Sequence, residues 1–133
     1  MHDRPTVDEL LRAVEVLFDE QLVPSLTGSR QYSCRVAANV IRTVRRELRD
    51  EEAALDREWA GLDALLGESE KPSSRQALRV RIAERTAELS ERIREGDADE
   101  GAWRGVVLGH VKDVVHAKLS ASNPGWLESS PSA

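Results

Sequence analysis

Apolar residues recur at helical spacing in five stretches of the chain, with turn-forming residues between most of them. The first stretch is Val7, Leu10, Leu11, Val14, Leu17, Phe18 and Leu22. It stands behind a capping-box pair, Thr6 and Glu9, and is closed by Pro24 and Gly28. The second runs from Gln31 to Arg49 with Val36, Ala37, Val40, Ile41, Val44 and Leu48. The third follows with no breaker: Leu55, Trp59, Leu62, Leu65 and Leu66. At about 100° per residue the second and third stripes share one side of a helix, but Glu51 then falls in their seam. Two arrangements follow. One is a continuous helix over 31–66, about 50 Å long, whose excess length needs a partner. The other is a helix pair broken at Glu51.

Gly67 and the run from Glu68 to Ser74 predict a loop, with Ser73 and Gln76 as a second capping pair. The fourth stretch has a narrow stripe of Leu78, Ile82, Leu89 and Ile93 and stops at Gly96. The fifth begins near Asp99 and carries Trp103, Val106, Val107, Val111, Val114, Val115 and Leu119, ending at Asn123-Pro124-Gly125. Its valines favour strands, but their spacing is helical over four turns and no other stretch offers a strand to pair with. Trp126 and Leu127 are expected to fold back as a lid. The fold class predicted is all-α: an antiparallel bundle of four or five helices, with a long helix or helix pair over 31–66. One domain covers 1–127 and a flexible tail covers 128–133.

Composition narrows the picture. The chain has 133 residues, of which 40% are hydrophobic and 32% charged, with a formal net charge of −5. Such a chain supports one core and broad solvated helix faces. The net negative charge opposes generic nucleic-acid binding. The single cysteine, Cys34, excludes an internal disulfide. No stretch approaches the ~20 apolar residues of a membrane span, and no apolar leader follows Met1, so a cytoplasmic protein is expected. Charge falls in blocks: acids dominate up to Ser29, arginines from Arg30 to Arg49, and acids again from Asp50 to Glu70.

Recognised catalytic chemistry is missing. There is no phosphate-binding glycine loop and no Gly-x-Ser-x-Gly elbow. His110 and His116 are six apart, which is wrong for two ligands on one helical face. The run Asp97-Ala98-Asp99-Glu100-Gly101 opens like a calcium loop but lacks its closing acid, since Leu108 stands there. No metal and no cofactor are expected.

Four groups of residues remain. Arg35, Asn39, Arg42 and Arg46 lie on one helix face and suit a phosphate or carboxylate, because guanidinium forks bind both. The plainer alternative pairs them with the acidic blocks on either side. Glu47, His110 and Lys118 are polar groups near apolar stripes. Glu47 and Lys118 suit a buried ion pair, and all three in one cleft would suit proton transfer. The plainer alternative is structural. Gly101, Gly105 and Gly109 recur every four residues, which favours a close helix contact or a late helix start. Trp59, Trp103 and Trp126 are expected in packing rather than base stacking.

Three short motifs combine into a resemblance. They are Asp3-Arg4-Pro5-Thr6 with Glu9-Leu10-Leu11, then Arg35-Val36-Ala37-Ala38-Asn39 with Glu47-Leu48, then Lys118-Leu119 with Asn123-Pro124. Together they resemble a family of small bacterial helical proteins of unknown function. Its members are encoded beside aminoglycoside-phosphotransferase-like kinases and acyl-CoA dehydrogenases. The resemblance marks Asp3, Arg4, Asn123 and Pro124, besides Arg35, Asn39 and Glu47, as site candidates. It implies an accessory or interaction protein that partners a kinase of that type or an acyl-CoA dehydrogenase. The alternative is a binding module for an acyl-CoA or another anionic metabolite through the arginine face. A homodimer is compatible with either. Nucleic-acid and membrane partners are not expected.

Overall fold

The computed structural model describes residues 4–129. Helix α1 (Val7–Val16) passes through a π-helical segment (Leu17–Leu22) into the short α2 (Val23–Ser25). The long α3 (Gly28–Leu66) follows, then α4 (Arg75–Arg94), α5 (Ala102–Ser122) and the short α6 (Gly125–Glu128). Among the described residues there is no strand, so the all-α bundle is as expected. Asp3 and residues 130–133, most of the anticipated tail, lie outside the described residues.

Helix starts follow local chemistry. The Thr6 hydroxyl accepts from the Glu9 N–H at 3.2 Å, and Glu9 Oε2 accepts from the Thr6 N–H at 2.8 Å, the capping box expected at that position. For α4 the cap is Ser74 rather than Ser73: its hydroxyl accepts from the Ala77 N–H at 3.1 Å. Pro24 does not end the first helical run. The wider π turn before it spares a regular i→i−4 bond that the proline ring would disrupt. Gln31 Nε2 then donates to the Val23 carbonyl at 3.0 Å. At the start of α5, Gly101 is the N-cap with φ of +85°, so the late-start reading of the glycine series describes Gly101. Gly105 and Gly109 face open space and make no close helix contact.

Helix α3 is unbroken over 39 residues, about 58 Å. Glu51 does sit in the seam, half-buried, and its charge is met from α4. Arg79 Nε donates to Glu51 Oε1 at 2.7 Å, and Arg75 lies 3.6 Å from Glu51 Oε2. A paired carboxylate removes the reason for a break.

The other helices pack on α3 from separate sides. Helix α1 runs antiparallel to it, with Asp8 beside Arg45 and Asp19 beside Arg42. Helix α5 also runs antiparallel: the Trp103 Nε1 donates to the Leu65 carbonyl at 3.3 Å, and Arg46 meets the far end of α5 at Ala121. Helix α4 refines the antiparallel expectation. Arg75 and Arg79 neighbour Glu51 while Arg85 neighbours Asp63, so α4 runs parallel to α3. The loop from Gly67 to Ser74 makes this possible by returning along α3, with Lys71 Nζ 2.6 Å from Asp56 Oδ1.

The core is Trp59, Leu62 and Leu65 of α3, Leu78, Ile82 and Leu89 of α4, and Val107 of α5. The position that interrupts the α4 stripe is Arg85, which is only 3% exposed. Its guanidinium stacks 4.9 Å from the centre of the Trp59 ring, pairs with Asp63, and donates to the Gly67 carbonyl at 2.5 Å. It thereby supplies a cation to the carbonyl end of α3, where the helix dipole favours one. Arg92 stacks 4.3 Å from the Trp103 ring and completes a second arginine–tryptophan layer. Ile93, expected in the stripe, is instead partly exposed, as are Val106, Val111 and Val115 of α5.

Arg85→Ala should destabilise the fold by about 3 kcal/mol, because Asp63 and the end of α3 lose their partner. Arg85→Lys should recover less than half of that, since an ammonium cannot stack flat on Trp59 and serve both Asp63 and the Gly67 carbonyl. Urea unfolding followed by tryptophan fluorescence measures both. Full rescue by lysine would show that charge alone is needed at this position.

Candidate functional site

Where α3 and α5 lie side by side, their facing positions are unusually small. Ala54, Ala60, Gly61 and Ala64 of α3 and Gly109, Ala117 and Ala121 of α5 line an open groove of about 950 Å³. It extends along α3 from Glu47 to Ala64, about 26 Å. Val106 and Val114 add apolar wall. Charged side chains stand among the lining: Glu47, Asp50, Glu51, Glu58 and Asp113 against Arg57 and Lys118. Small residues create the groove directly, since α3 and α5 present few side chains long enough to fill the space between their axes.

Gly61 marks the closest approach. A Cβ on Gly61 would lie 2.2 Å from His110 Nδ1, so the half-buried imidazole rests on the bare backbone of α3. A glycine inside a helix costs about 1 kcal/mol relative to alanine, and here the contact with His110 requires it.

Glu47, His110 and Lys118 do line this one groove, but not as a cluster. His110 stands level with Gly61, about 21 Å along α3 from Glu47, and Lys118 is about 12 Å further along α5 than His110. Those separations exceed any hydrogen-bonded network, so shared proton transfer has no geometry. The buried Glu47–Lys118 pair is also corrected: both residues are exposed, and no ion pair joins them. Each side chain is long enough to carry its charge out to water from the margin of the groove.

The arginine face resolves toward its plainer alternative. Arg42 Nε donates to Glu15 Oε1 at 3.0 Å, and its Nη2 pairs with Asp19. Arg45 takes Asp8 at 2.8 Å and Glu15 Oε2 at 2.6 Å. Arg46 Nε donates to the Ala121 carbonyl at 2.7 Å, a cation at the C-terminus of α5. Asn39 and Arg35 are exposed, about one and two turns from Arg42 respectively. The candidate anion site is therefore not assembled: α1 and the π segment supply the carboxylates for Arg42, and α5 takes Arg46. Arg45, which the sequence reading passed over, is the centre of the α1–α3 network. Its partners Asp8 and Glu15 stand one helical repeat apart on α1, a spacing visible in the sequence.

Arg4 is exposed at the start of the described residues. Asn123 caps α5 through its N–H to the Leu119 carbonyl at 2.8 Å, and Pro124 precedes α6. Asn123 and Pro124 thus shape the turn between α5 and α6. Trp126 is largely exposed and forms no lid over the groove. Among the described residues no group of histidine, cysteine and carboxylate side chains is placed to hold a metal ion, and no helix is long and apolar enough to cross a membrane.

Hydrogen bonds donated by Arg45 hold the Asp8 carboxyl below its usual value of 3.8, and the same donation to Asp8 and Glu15 raises the Arg45 guanidinium. Because the folded-state Asp8 value is lowered, the contribution of Asp8 to docking α1 is complete above about pH 4. It is lost as pH falls through the lowered value. Protection of the α1 amides against exchange should therefore fall below about pH 4. Asp8→Asn should flatten that dependence, and an unchanged profile would show that Asp8 does not carry it.

The His110 contact predicts a reversal of sign. Gly61→Ala should destabilise the wild type by about 1–3 kcal/mol through overpacking. In a His110→Ala background the same change should stabilise by up to about 1 kcal/mol, the ordinary helix preference. Thermal unfolding of the four proteins measures this, and a stabilised single Gly61→Ala variant would refute the contact.

Residues 24–126 match the family described as a domain of unknown function, DUF6285, and the chain belongs to that family. The match includes α3, α4 and α5 and therefore the whole groove, while α1 and the Asp3-Arg4 motif precede it. No curated protein and no solved structure matches the chain.

Proposed function

We propose that this protein is an accessory interaction module, and that the α3–α5 groove receives an amphipathic helix of a partner protein. The observation that carries the reading is the groove floor. Seven alanines and glycines line a groove about 26 Å long, which matches four to five turns of helix. A helix laid in a groove binds through apolar side chains at i, i+3, i+4 and i+7, and small residues beneath it allow close approach. Glu47, Glu58 and Asp113, none engaged in an ion pair, favour lysines or arginines along the flanks of that helix.

The partners implied by the resemblance are an aminoglycoside-phosphotransferase-like kinase and an acyl-CoA dehydrogenase. The alternative, an acyl-CoA or other anionic metabolite, fits less well. An acyl chain would suit the channel, but acids outnumber bases along it, and a nucleotide phosphate would meet repulsion there. Arg42 and Arg46, the cations an anion would need, are already engaged.

Co-expression with each of the two enzymes, followed by size exclusion at micromolar concentration, tests the reading. One of them should co-elute with the wild type. Gly109→Leu, which projects into open groove and improves helix propensity, should keep or raise Tm while weakening the complex at least tenfold. Separate elution of both enzymes, or a complex indifferent to Gly109→Leu, would overturn it.

A further inference from the structure

The N-terminal third of the chain has almost no interior. Neither α1 nor the π segment contributes a buried residue, and α3 contributes only Ala38 before Trp59. The α1–α3 hairpin is a single layer whose two flanks differ. On one flank Asp8, Glu15 and Asp19 meet Arg42 and Arg45. The opposite flank is apolar on both helices. Leu10, Val14 and Leu17 recur along α1 and Val40, Val44 and Leu48 along α3, and each is between 37% and 55% exposed. On α3 this is the side that α4 covers further along. Helix α4 begins level with Glu51, so its seat is vacant from Leu48 back toward Val40.

We propose that this flank is a homodimer interface: a second copy of the chain lays its own α1–α3 hairpin face to face on the first, closing a four-helix bundle. Three observations select a second copy as the occupant. The flank is apolar on both of its helices and none of its six residues carries a charge, so it is complementary to itself under a two-fold axis and offers no charge pattern for an unlike partner. Its six large apolar side chains, each between 37% and 55% exposed, form the apolar centre that a stable interface of ~800 Å² per partner has inside its polar rim. A hairpin without a core gains one only if a second layer of helices of the same length covers it, and another hairpin supplies that length on both helices at once. The interface is separate from the α3–α5 groove and does not depend on the function proposed for that groove.

Analytical ultracentrifugation of the full chain at 1–100 μM, an arbitrary working range, decides the matter. The wild type should sediment at twice the 14.8 kDa chain mass. Val44→Asp and Leu10→Asp, both at surface positions of the monomer, should raise the dimer dissociation constant at least a hundredfold while leaving helicity and the tryptophan spectrum unchanged. Gly109→Leu should leave the dimer intact, so failure of the groove reading and failure of this one are separable. A monomeric wild type across the range would overturn the proposal. So would a dimer that survives Val44→Asp in a protein shown to be folded. If either aspartate variant fails to fold, Val44→Ser combined with Leu10→Ser reads the same interface with a smaller perturbation, and an undiminished dimer there also overturns it.

Discussion

Helix α3 is the one surface that α1, α4 and α5 all share, and its continuity past Glu51 is the constraint on which the rest depends. A break there would separate the α1 contacts, which lie before Asp50, from the α4 contacts after it, and would divide the α5 contacts, which run from Arg46 to Leu65. A carboxylate in an apolar seam would ordinarily favour such a break, because leaving it charged and unpaired costs several kcal/mol. Arg79 and Arg75 offset that cost. They reach Glu51 because α4 runs parallel to α3 and so begins beside its middle. The loop from Gly67 to Ser74 is thus part of the same device: by returning along α3 it places the start of α4 where the charge needs it.

Much of this was legible in the sequence. Apolar spacing gave the helices and Thr6–Glu9 gave a cap. The shared stripe of Val44, Leu48, Leu55 and Trp59 allowed one long helix, while Glu51 in its seam left a broken pair equally open. What periodicity could not supply was the direction of α4. A loop of seven or eight residues suits either a tight antiparallel turn or an extended return, and the choice rests on pairings such as Lys71–Asp56 that no local pattern announces. Arg85 was hidden for a related reason. An arginine in a helical stripe usually marks the edge of the apolar face, and only the meeting of Trp59, Asp63 and the end of α3 makes its burial favourable.

The site was legible in part. Glu47, His110 and Lys118 do line one groove, yet their proximity to apolar stripes implied a cluster that helix geometry then spreads over more than 20 Å. The signal for the groove was different and quieter: Ala54, Ala60, Gly61 and Ala64 on one helix, Gly109, Ala117 and Ala121 on another. Small residues carry little hydropathy, so a reading based on apolar stripes passes over them. Their effect appears only when two such faces are set against each other and no side chain fills the space between.

The two bare surfaces lie on different sides of α3, and this bears on how one chain can serve two contacts. Val44 and Leu48 point to the side that α4 occupies further along, whereas Ala54, Gly61 and Ala64 point to the side of α5. A hairpin-to-hairpin dimer would leave both grooves open, one per protomer, and hold them at a fixed separation. Each α3 is longer than the α4 and α5 that pack on its second half, and that surplus length is the part left for a second copy to cover. The overlong helix and the bare flank are then one feature. On the two proposals together, an extended spine would carry a partner-facing groove at one end and a self-associating layer at the other, with the ion pairs of Arg42 and Arg45 holding α1 in place beside that layer.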